Sequence, residues 1–217
     1  MKSNKCFIIS VDGTCAAGKG TIARAISEML EFDYLDTGIM YRLVGYHALL
    51  NHIKLDDIEG LESIAKSINY TQNNIDLSSE EIGNAASTVA QIAQVRSVLN
   101  KAQKEFPIGK KGVVVDGRDI GSVIFPDADC KFYISASLEV RAKRRFEQAQ
   151  KDGQNTTLNI IKDKLQKRDE RDMMRAVSPL VIPEGAIVID TSFLTVEESC
   201  TIAYNHALSI IENTRVL

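Results

Sequence analysis

The sequence predicts an α/β fold in which a parallel five-stranded sheet is flanked by helices on both faces. Short, continuous apolar runs recur along the chain, and segments with helical periodicity separate them, which is typical of parallel strands buried between helices. A glycine-rich loop, Gly13–Thr21, joins the first apolar run to the first helical segment. The runs that predict strands are 5–12, 34–36, 113–116, 131–135 and 186–190.

Length and composition favour one globular domain, 1–217. The chain has 217 residues, of which 44% are apolar and 25% charged, and this is enough apolar content for a sizeable core. The net charge of -3 gives no reason to expect a polyanionic partner or a membrane surface. The first apolar run ends at Asp12 and is too short for a signal peptide or a membrane span. The four cysteines lie far apart, so we expect reduced thiols in a cytoplasmic protein.

The glycine-rich loop has the pattern of a phosphate-binding loop. Its glycines let the backbone curl so that successive N–H groups point at phosphate oxygens, and the helix that follows adds partial positive charge. Lys19 supplies a full positive charge. A tight strand-to-helix turn is the alternative, but the strand before and the helix after favour phosphate binding. The residues expected to hold the phosphates are Gly13, Thr14, Cys15, Ala16, Ala17, Gly18, Lys19, Gly20 and Thr21.

Two residues of this loop, Gly20 and Cys15, bear on metal binding and on thiol reactivity. Gly20 stands where many such loops have a hydroxyl, and the hydroxyl comes one position later at Thr21. We therefore expect Mg²⁺ to be held through water rather than by a direct protein ligand. Cys15 is expected to be a small loop residue and not a nucleophile, although a thiol near a helix N-terminus can be reactive.

Helices are predicted after the strands. One is expected over 19–31, and Asp36 or Thr37 is expected to cap the next, which carries Met40, Leu43 and Val44 inward. The spacing of Thr195 and Glu198 predicts a capping box before the last helix. The other predicted helices are 138–151, 157–175 and 196–212.

The stretch 37–97 departs from the alternation of strands and helices, which predicts an insert beside the nucleotide site. Asn73–Asn74 predicts a turn, and Ser78 with Glu81 has the spacing of a capping box. One long helix is expected to follow, because apolar residues recur there at helical spacing. Those residues are Ile92, Val95, Leu99 and Ala102.

A second group of charged residues follows the third predicted strand. Asp116–Asp119 lies at the carboxyl end of that strand, the edge at which open α/β sheets bind ligands. Asp116 is placed to hold the water shell of Mg²⁺. The alternative is an ordinary strand-to-loop turn.

Arginines dominate one face of the predicted helix 157–175. Arg168, Arg171, Asp172 and Arg175 fall at i, i+3, i+4 and i+7, and arginine offers planar paired donors that suit phosphate. A solvated charged face with internal ion pairs is the alternative interpretation. The polar segment 148–160 precedes this face and is expected to form a mobile lid.

Four motifs in order after the phosphate loop resemble those of bacterial cytidylate kinases, within the P-loop nucleoside monophosphate kinases. The motifs are Asp36–Gly38 with Tyr41–Arg42, Asn84–Ser87 with Val95–Arg96, Asp116–Asp119, and Arg168–Val177. The resemblance spans nearly the whole chain. It implies transfer of the γ-phosphoryl group of ATP to CMP or dCMP, with Mg²⁺ as cofactor. It also implies that 37–97 is the nucleoside monophosphate-binding insert.

The resemblance also implies roles for individual residues. Those implied in catalysis are Lys19, Arg118, Arg171 and Arg175. Arg141 joins the phosphate loop as an implied ATP-binding residue. Those implied to grip the CMP phosphate are Arg42, Arg118 and Arg175. Those implied to read the base are Ser87, Arg96 and Asp119, and those implied to hold the sugar are Arg168 and Asp172. The remaining implied substrate-binding residues are Thr37, Tyr41 and Gly117; packing in the core is an equal expectation for Tyr41.

The chemistry of the base agrees with this assignment. Cytosine presents an amine donor beside two acceptors, which an acid and an arginine complement. Uracil reverses two of these positions and leaves Asp119 and Arg96 poorly matched. Two alternatives stay open: a kinase for another small acceptor such as UMP or AMP, and a nucleotide-dependent switch or RNA-binding protein. Lys143–Arg145 is a basic patch without aromatic residues for base stacking, which argues against RNA binding. We expect a monomer, with no nucleic-acid or membrane partner.

Overall fold

The computed structural model describes residues 5–70 and 75–215, and side chains up to 214. The turn predicted at Asn73–Asn74 lies outside the described residues. The chain divides into two compact units. The first takes in the described chain up to Leu35, Pro107–Met174 and the chain from Ser178 onward, and the second is Asp36–Phe106 with Arg175–Val177.

A five-stranded sheet forms the centre of the first unit, with strand order β2-β3-β1-β4-β5. The strands are β1 (Phe7–Gly13), β2 (Asp33–Asp36), β3 (Gly112–Asp116), β4 (Cys130–Ser135) and β5 (Ile187–Asp190). Pairing is parallel between β1 and β3, β1 and β4, and β4 and β5. Every residue of β3 is buried, as are Ile9 and Val11 of β1, which is why these strands are continuous apolar runs. The predicted fold class is confirmed.

The described parts of the chain contain eight α-helices. They are α1 (Lys19–Leu30), α2 (Thr37–Leu50), α3 (Ile58–Ser67), α4 (Glu80–Val89), α5 (Ala93–Glu105), α6 (Leu138–Lys151), α7 (Leu158–Met174) and α8 (Val196–Arg215). The capping box before α8 is confirmed: Thr195 Oγ1 accepts from Glu198 N at 3.1 Å, and Thr195 N donates to Glu198 Oε2 at 2.8 Å. Among the helices of residues 5–70 and 75–215, none has the length and apolarity needed to cross a lipid bilayer.

The second unit differs from the sequence prediction at two helix ends. Ser79, and not Ser78, caps α4, because its Oγ accepts from Ile82 N at 3.3 Å. The single long helix predicted there is wrong, since Ile92 adopts extended backbone angles and separates α4 from α5. The apolar periodicity continues through this break, so periodicity alone does not reveal it.

Two local features of the first unit were also not predicted. A π-helix covers Ile120–Ile124 directly after the Asp116–Asp119 motif. α7 ends at Met174, so Arg175 lies beyond the helix. Between α6 and α7 the helix ends leave the connection 152–157, which is mostly exposed and includes Gly153 with φ of 69°.

Candidate active site

The phosphate loop, residues 14–18, joins β1 to α1 with two residues in the left-handed region. Ala16 has φ of 62° and Gly18 has φ of 94°. Such turns bring successive backbone N–H groups to one side and form a concave anion site. Gly18 is the N-cap residue of α1 and has no side chain to cap it. The N–H groups of the first turn of α1 are therefore available to an anion, and Lys19 begins that turn.

Two buried side chains lie under the phosphate loop at Cys15. Asp169 Oδ1 accepts from Cys15 N at 3.3 Å. Arg141 Nη1 donates to Cys15 O at 3.1 Å and to Asp169 Oδ2 at 2.5 Å, and its Nε donates to Ala136 O at 2.9 Å. The guanidinium of Arg141 therefore lies on the backbone of the loop, and the ATP-binding role that the resemblance implies for Arg141 stays a prediction.

Thr191, the residue after β5, contacts the same loop at Ala17. Its Oγ1 donates to Ala17 O at 2.9 Å. Arg144 holds Thr191 in turn, through Nη1 to Oγ1 at 3.0 Å and Nη2 to the Thr191 carbonyl at 2.6 Å. α6 thus supports the loop twice, directly through Arg141 and indirectly through Arg144.

Asp116 lies at the end of β3 and faces the first turn of α1. A Cβ built on Gly20 would lie 3.1 Å from Asp116 Oδ2, so the absence of a side chain at Gly20 leaves space beside the carboxylate. Thr21 is exposed. A carboxylate next to a phosphate loop suits a hydrated Mg²⁺ ion.

Asp12 is a buried carboxylate that holds the π-helix start. Its two oxygens accept from Ile120 N at 2.8 Å and Gly121 N at 2.7 Å. Burial raises the pKa of Asp12 to about 6, although these two hydrogen bonds act to lower it. The contact fixes the backbone that follows Arg118 and Asp119, and Asp119 is itself buried.

Arg118 forms an ion pair with Asp172 of α7. Its Nε donates to Asp172 Oδ2 at 2.9 Å, and its Nη1 donates to the carbonyl of Gly117 at 3.1 Å. Burial alone would lower the pKa of Arg118, but the Asp172 carboxylate outweighs it and raises that pKa. Arg118 is therefore always positively charged, and its ion pair with Asp172 fixes the orientation of the guanidinium.

Positive charge collects around the phosphate loop. Desolvation by itself would raise the pKa of the Cys15 thiol, but the charges of Arg168, Arg118 and Lys19 lower it overall. The positive charge that lowers the pKa of Cys15 would also favour a bound phosphate.

The predicted arginine face of α7 is partly corrected by the structure. Arg168, Arg171 and Asp172 lie on α7, with Asp172 buried and the two arginines partly exposed. The Nε atom of Arg168 is buried and has no hydrogen-bond partner among the described residues. Arg175 does not share this face, because α7 has ended and the residue belongs to the second unit, where it is buried.

In the second unit, Arg42 is positioned by its surroundings in α2 and α4. Asp36 caps α2 by accepting from Gly38 N at 2.9 Å, as predicted, and Thr37 begins the helix in a buried position. Arg42 Nη1 donates to Leu77 O at 2.6 Å. A Cβ on Gly83 would lie 3.3 Å from Arg42 Nη2, so the guanidinium packs against bare backbone.

Arg96 and Tyr41 are in contact in the second unit, and Ser87 is a further buried polar residue of that unit. The Arg96 guanidinium lies 5.5 Å from the centre of the Tyr41 ring, and its Nη1 donates to Ala90 O at 3.2 Å. The Ser87 hydroxyl is buried and has no hydrogen-bond partner in the described parts of the chain. A buried hydroxyl without a partner in the protein is able to hydrogen-bond a ligand.

The sequence analysis did not identify Asp12, Asp169 or Thr191. Asp12 is the acid that ends the first apolar run, and the sequence pattern predicted no function for it. Asp169 stands between two candidate arginines, yet its sequence position does not show that its carboxylate contacts Cys15 and Arg141. Thr191 offers no signal in the sequence, because its contact with Ala17 is 174 residues distant.

The fold is shared with solved structures of low sequence identity. A gluconokinase from Sinorhizobium meliloti superposes with a TM-score of 0.53 over 98% of this chain and 97% of its own, at 14% identity. At that identity the likeness concerns the fold alone.

Sequence comparison is more specific. A curated cytidylate kinase from Bartonella tribocorum is 41% identical over 96% of this chain and 97% of its own length. Another, from Bartonella bacilliformis, is 44% identical over 89% of this chain and 90% of its own. The family model described as cytidylate kinase matches residues 9–209. The chain belongs to the cytidylate kinase family.

Proposed function

We propose that this protein is a cytidylate kinase, which transfers the γ-phosphoryl group of ATP to CMP or dCMP and releases ADP. Membership of the family over residues 9–209 is the observation that carries the proposal. The phosphate loop, the ion pair of Arg118 with Asp172 and the buried group at Arg96 supply the kinds of site that the reaction requires.

Binding of ATP is assigned to the phosphate loop and to Gly13 and Lys19–Thr21 beside it. Backbone N–H groups of the loop and the charge of Lys19 bind the donor's phosphates. Asp116 would hold Mg²⁺ through water, and the ion, when bound, neutralises phosphate charge as the transferring group separates.

Binding of CMP is assigned to residues of the family motifs. Arg42, Arg118 and Arg175 bind its phosphate, and the base is read by Ser87, Arg96 and Asp119. Arg168 and Asp172 hold the sugar, and the Asp172 carboxylate does so through hydrogen bonds that it accepts in addition to the one from Arg118. The remaining proposed CMP-binding residues are Thr37, Tyr41 and Gly117. These roles are proposals that rest on the family motifs, and the local geometry within each unit supports them.

In the proposed reaction an oxygen of the CMP phosphate attacks the γ-phosphorus of ATP. A P–O bond forms to CMP as the bond to the β-phosphate oxygen breaks, and ADP leaves with that oxygen. The attacking phosphate is already anionic, so no strong general base is required. Lys19, Arg118, Arg171 and Arg175 stabilise the charge on the transferring group.

The remaining features of the enzyme are proposed on the same basis. Residues 37–97 form the CMP-binding insert, and 148–160 form a lid that closes over the nucleotides and excludes water. We propose a monomer that works in the cytoplasm with Mg²⁺, and the four free cysteines support the location.

Kinetics of Arg118→Ala test the proposal. We expect wild-type protein to form ADP in a CMP-dependent manner. The variant should lower kcat/KM for CMP by about 10²–10³-fold, as for loss of one donor to a charged transition state. Lys110→Ala is the control, because Lys110 pairs with Asp33 at the surface at 2.8 Å. An unchanged rate in Arg118→Ala, or no CMP-dependent ADP from folded wild type that binds ATP, would contradict the proposal.

A further inference from the structure

The peptide groups of the phosphate loop are held from the protein side at two carbonyls. Arg141 binds the carbonyl of Cys15, and Thr191 binds the carbonyl of Ala17. In a trans peptide group the C=O and the N–H of the next residue point in opposite directions. The N–H groups of Ala16 and Gly18 therefore point away from Arg141 and Thr191, toward the open side of the loop.

Arg141 and Asp169, which hold Cys15, are rigidly placed because both side chains are buried and make several hydrogen bonds. The side chains of Arg141 and Asp169 are 7% and 10% exposed. Asp169 also accepts the N–H of Cys15, so that residue is held at both of its backbone polar groups. Arg141 is anchored in addition by the carbonyl of Ala136.

The support at Ala17 is equally enclosed. Thr191 is 2% exposed, and Arg144 binds both its hydroxyl and its carbonyl. The hydroxyl hydrogen has the Ala17 carbonyl as its nearer acceptor, at 2.9 Å, and the Ser135 carbonyl as a second one, at 3.2 Å, while the hydroxyl oxygen accepts from Arg144.

The loop needs such support because its conformation is disfavoured in isolation. Ala16 lies in the left-handed region, where a Cβ is crowded against the backbone. Strained residues of this kind persist only where surrounding contacts enforce them.

We infer that Arg141, Asp169 and Thr191 are positioning residues that aim the N–H groups of Ala16 and Gly18 at the phosphates of ATP without touching the nucleotide. The inference rests on the proposed use of ATP as phosphoryl donor. It gives Arg141 a role in shaping the loop, in place of direct contact with phosphate.

A pair of substitutions at Thr191 tests the support at Ala17. Thr191→Val keeps the shape and removes the hydroxyl, whereas Thr191→Ser keeps the hydroxyl. Calorimetric titration with Mg-ATP, and separately with inorganic tripolyphosphate, should give Kd values at least about tenfold higher for Thr191→Val. Thr191→Ser should stay within about twofold of wild type, and the KM for CMP should not change in either variant.

A second pair tests the support at Cys15. Asp169→Asn should raise the Kd for Mg-ATP about ten- to a hundredfold, because the loop then loses its fixed geometry. Glu139→Gln is the matched control. It breaks the exposed ion pair of Glu139 with Lys162, 2.7 Å long, which also joins α6 to α7 but does not reach the loop. That control should bind Mg-ATP as wild type does.

The readouts separate positioning from a purely structural role. If Thr191→Val and Asp169→Asn remain folded and bind Mg-ATP within about twofold of wild type, even with lower melting temperatures, the inference is overturned. Wild type that binds neither Mg-ATP nor tripolyphosphate would overturn it as well. ATP binding that depends on Thr191 and Asp169, in a protein without CMP-dependent turnover, would instead overturn the proposed function alone.

Discussion

Asp12 links the strand before the phosphate loop to the backbone that carries Arg118 and Asp119. Its carboxylate accepts two backbone N–H groups of the π-helix, at 2.8 and 2.7 Å. Burial dominates its electrostatics and raises its pKa from 3.8 to about 6. The charged form is therefore less favourable in the folded protein than in the unfolded chain, which lowers the stability of the folded protein at neutral pH.

The pKa of Asp12 predicts a pH-dependent difference in stability between wild type and Asp12→Asn. Between about pH 4 and pH 6 the folded protein retains a proton that the unfolded chain has released. Its stability relative to the variant should thus fall as pH rises, by up to about 3 kcal/mol in total. Urea unfolding of both proteins from pH 4 to pH 7 measures this. A difference that stays constant, or that grows with pH, would show that Asp12 ionises normally.

At the scale of elements, the junction of β1 with β4 depends on the absence of a side chain at Gly13. A Cβ at this position would lie 2.0 Å from the carbonyl oxygen of Ile134, and φ is 151°. β1 and β4 pair side by side here, with Gly13 opposite Ile134. The close approach brings the phosphate loop directly off the sheet.

Gly13→Ala should consequently destabilise the protein severely, by more than about 4 kcal/mol, since backbone must move to accommodate one methyl group. Gly109→Ala is the control, because Gly109 has φ of 77° but a Cβ there would meet nothing within 4 Å. That variant should cost only about 1 kcal/mol, from backbone strain alone. Chemical unfolding compares the two, and equal losses would show that the contact with Ile134 relaxes without penalty.

The start of α4 is the other element whose basis is local. Ser79→Ala removes the side chain that accepts from Ile82 N and should lower the free energy of unfolding by about 1 kcal/mol. Ser78→Ala changes the neighbouring exposed serine and should alter it by less than about 0.5 kcal/mol. Denaturant unfolding of both variants measures the difference, and a larger loss in Ser78→Ala would move the cap back to the position that the sequence pattern favoured.

At the scale of the whole molecule, the sheet was predictable because each buried parallel strand is an apolar run with its own boundary signals. β3 and β4 illustrate this, since the observed bounds differ from the predicted ones by one residue. The break between α4 and α5 and the end of α7 were not predictable, because helical periodicity continues through both. A local sequence pattern does not reveal the end of a helix when the backbone changes conformation but the apolar spacing of the side chains continues.

The candidate site likewise has features with a local sequence signal, which were predictable, and features without one, which were not. The phosphate loop was predictable because its function depends on backbone shape, which glycines encode locally. The contacts of Asp169 with Cys15, and of Thr191 with Ala17, span 154 and 174 residues. Nothing local in the sequence specifies such pairs, and only the folded chain brings them together.

The central claim is that the protein phosphorylates cytidine monophosphates, and acceptor selectivity tests it most directly. ADP release from Mg-ATP should be measured with CMP, dCMP, UMP and AMP in separate reactions. The proposed readers of the base, Arg96 and Asp119, match cytosine and leave hydrogen-bonding groups unpaired against uracil. We predict fast turnover with CMP and dCMP and little with UMP or AMP. A preference for UMP or AMP, or no acceptor-dependent release from folded protein that binds ATP, would contradict the claim.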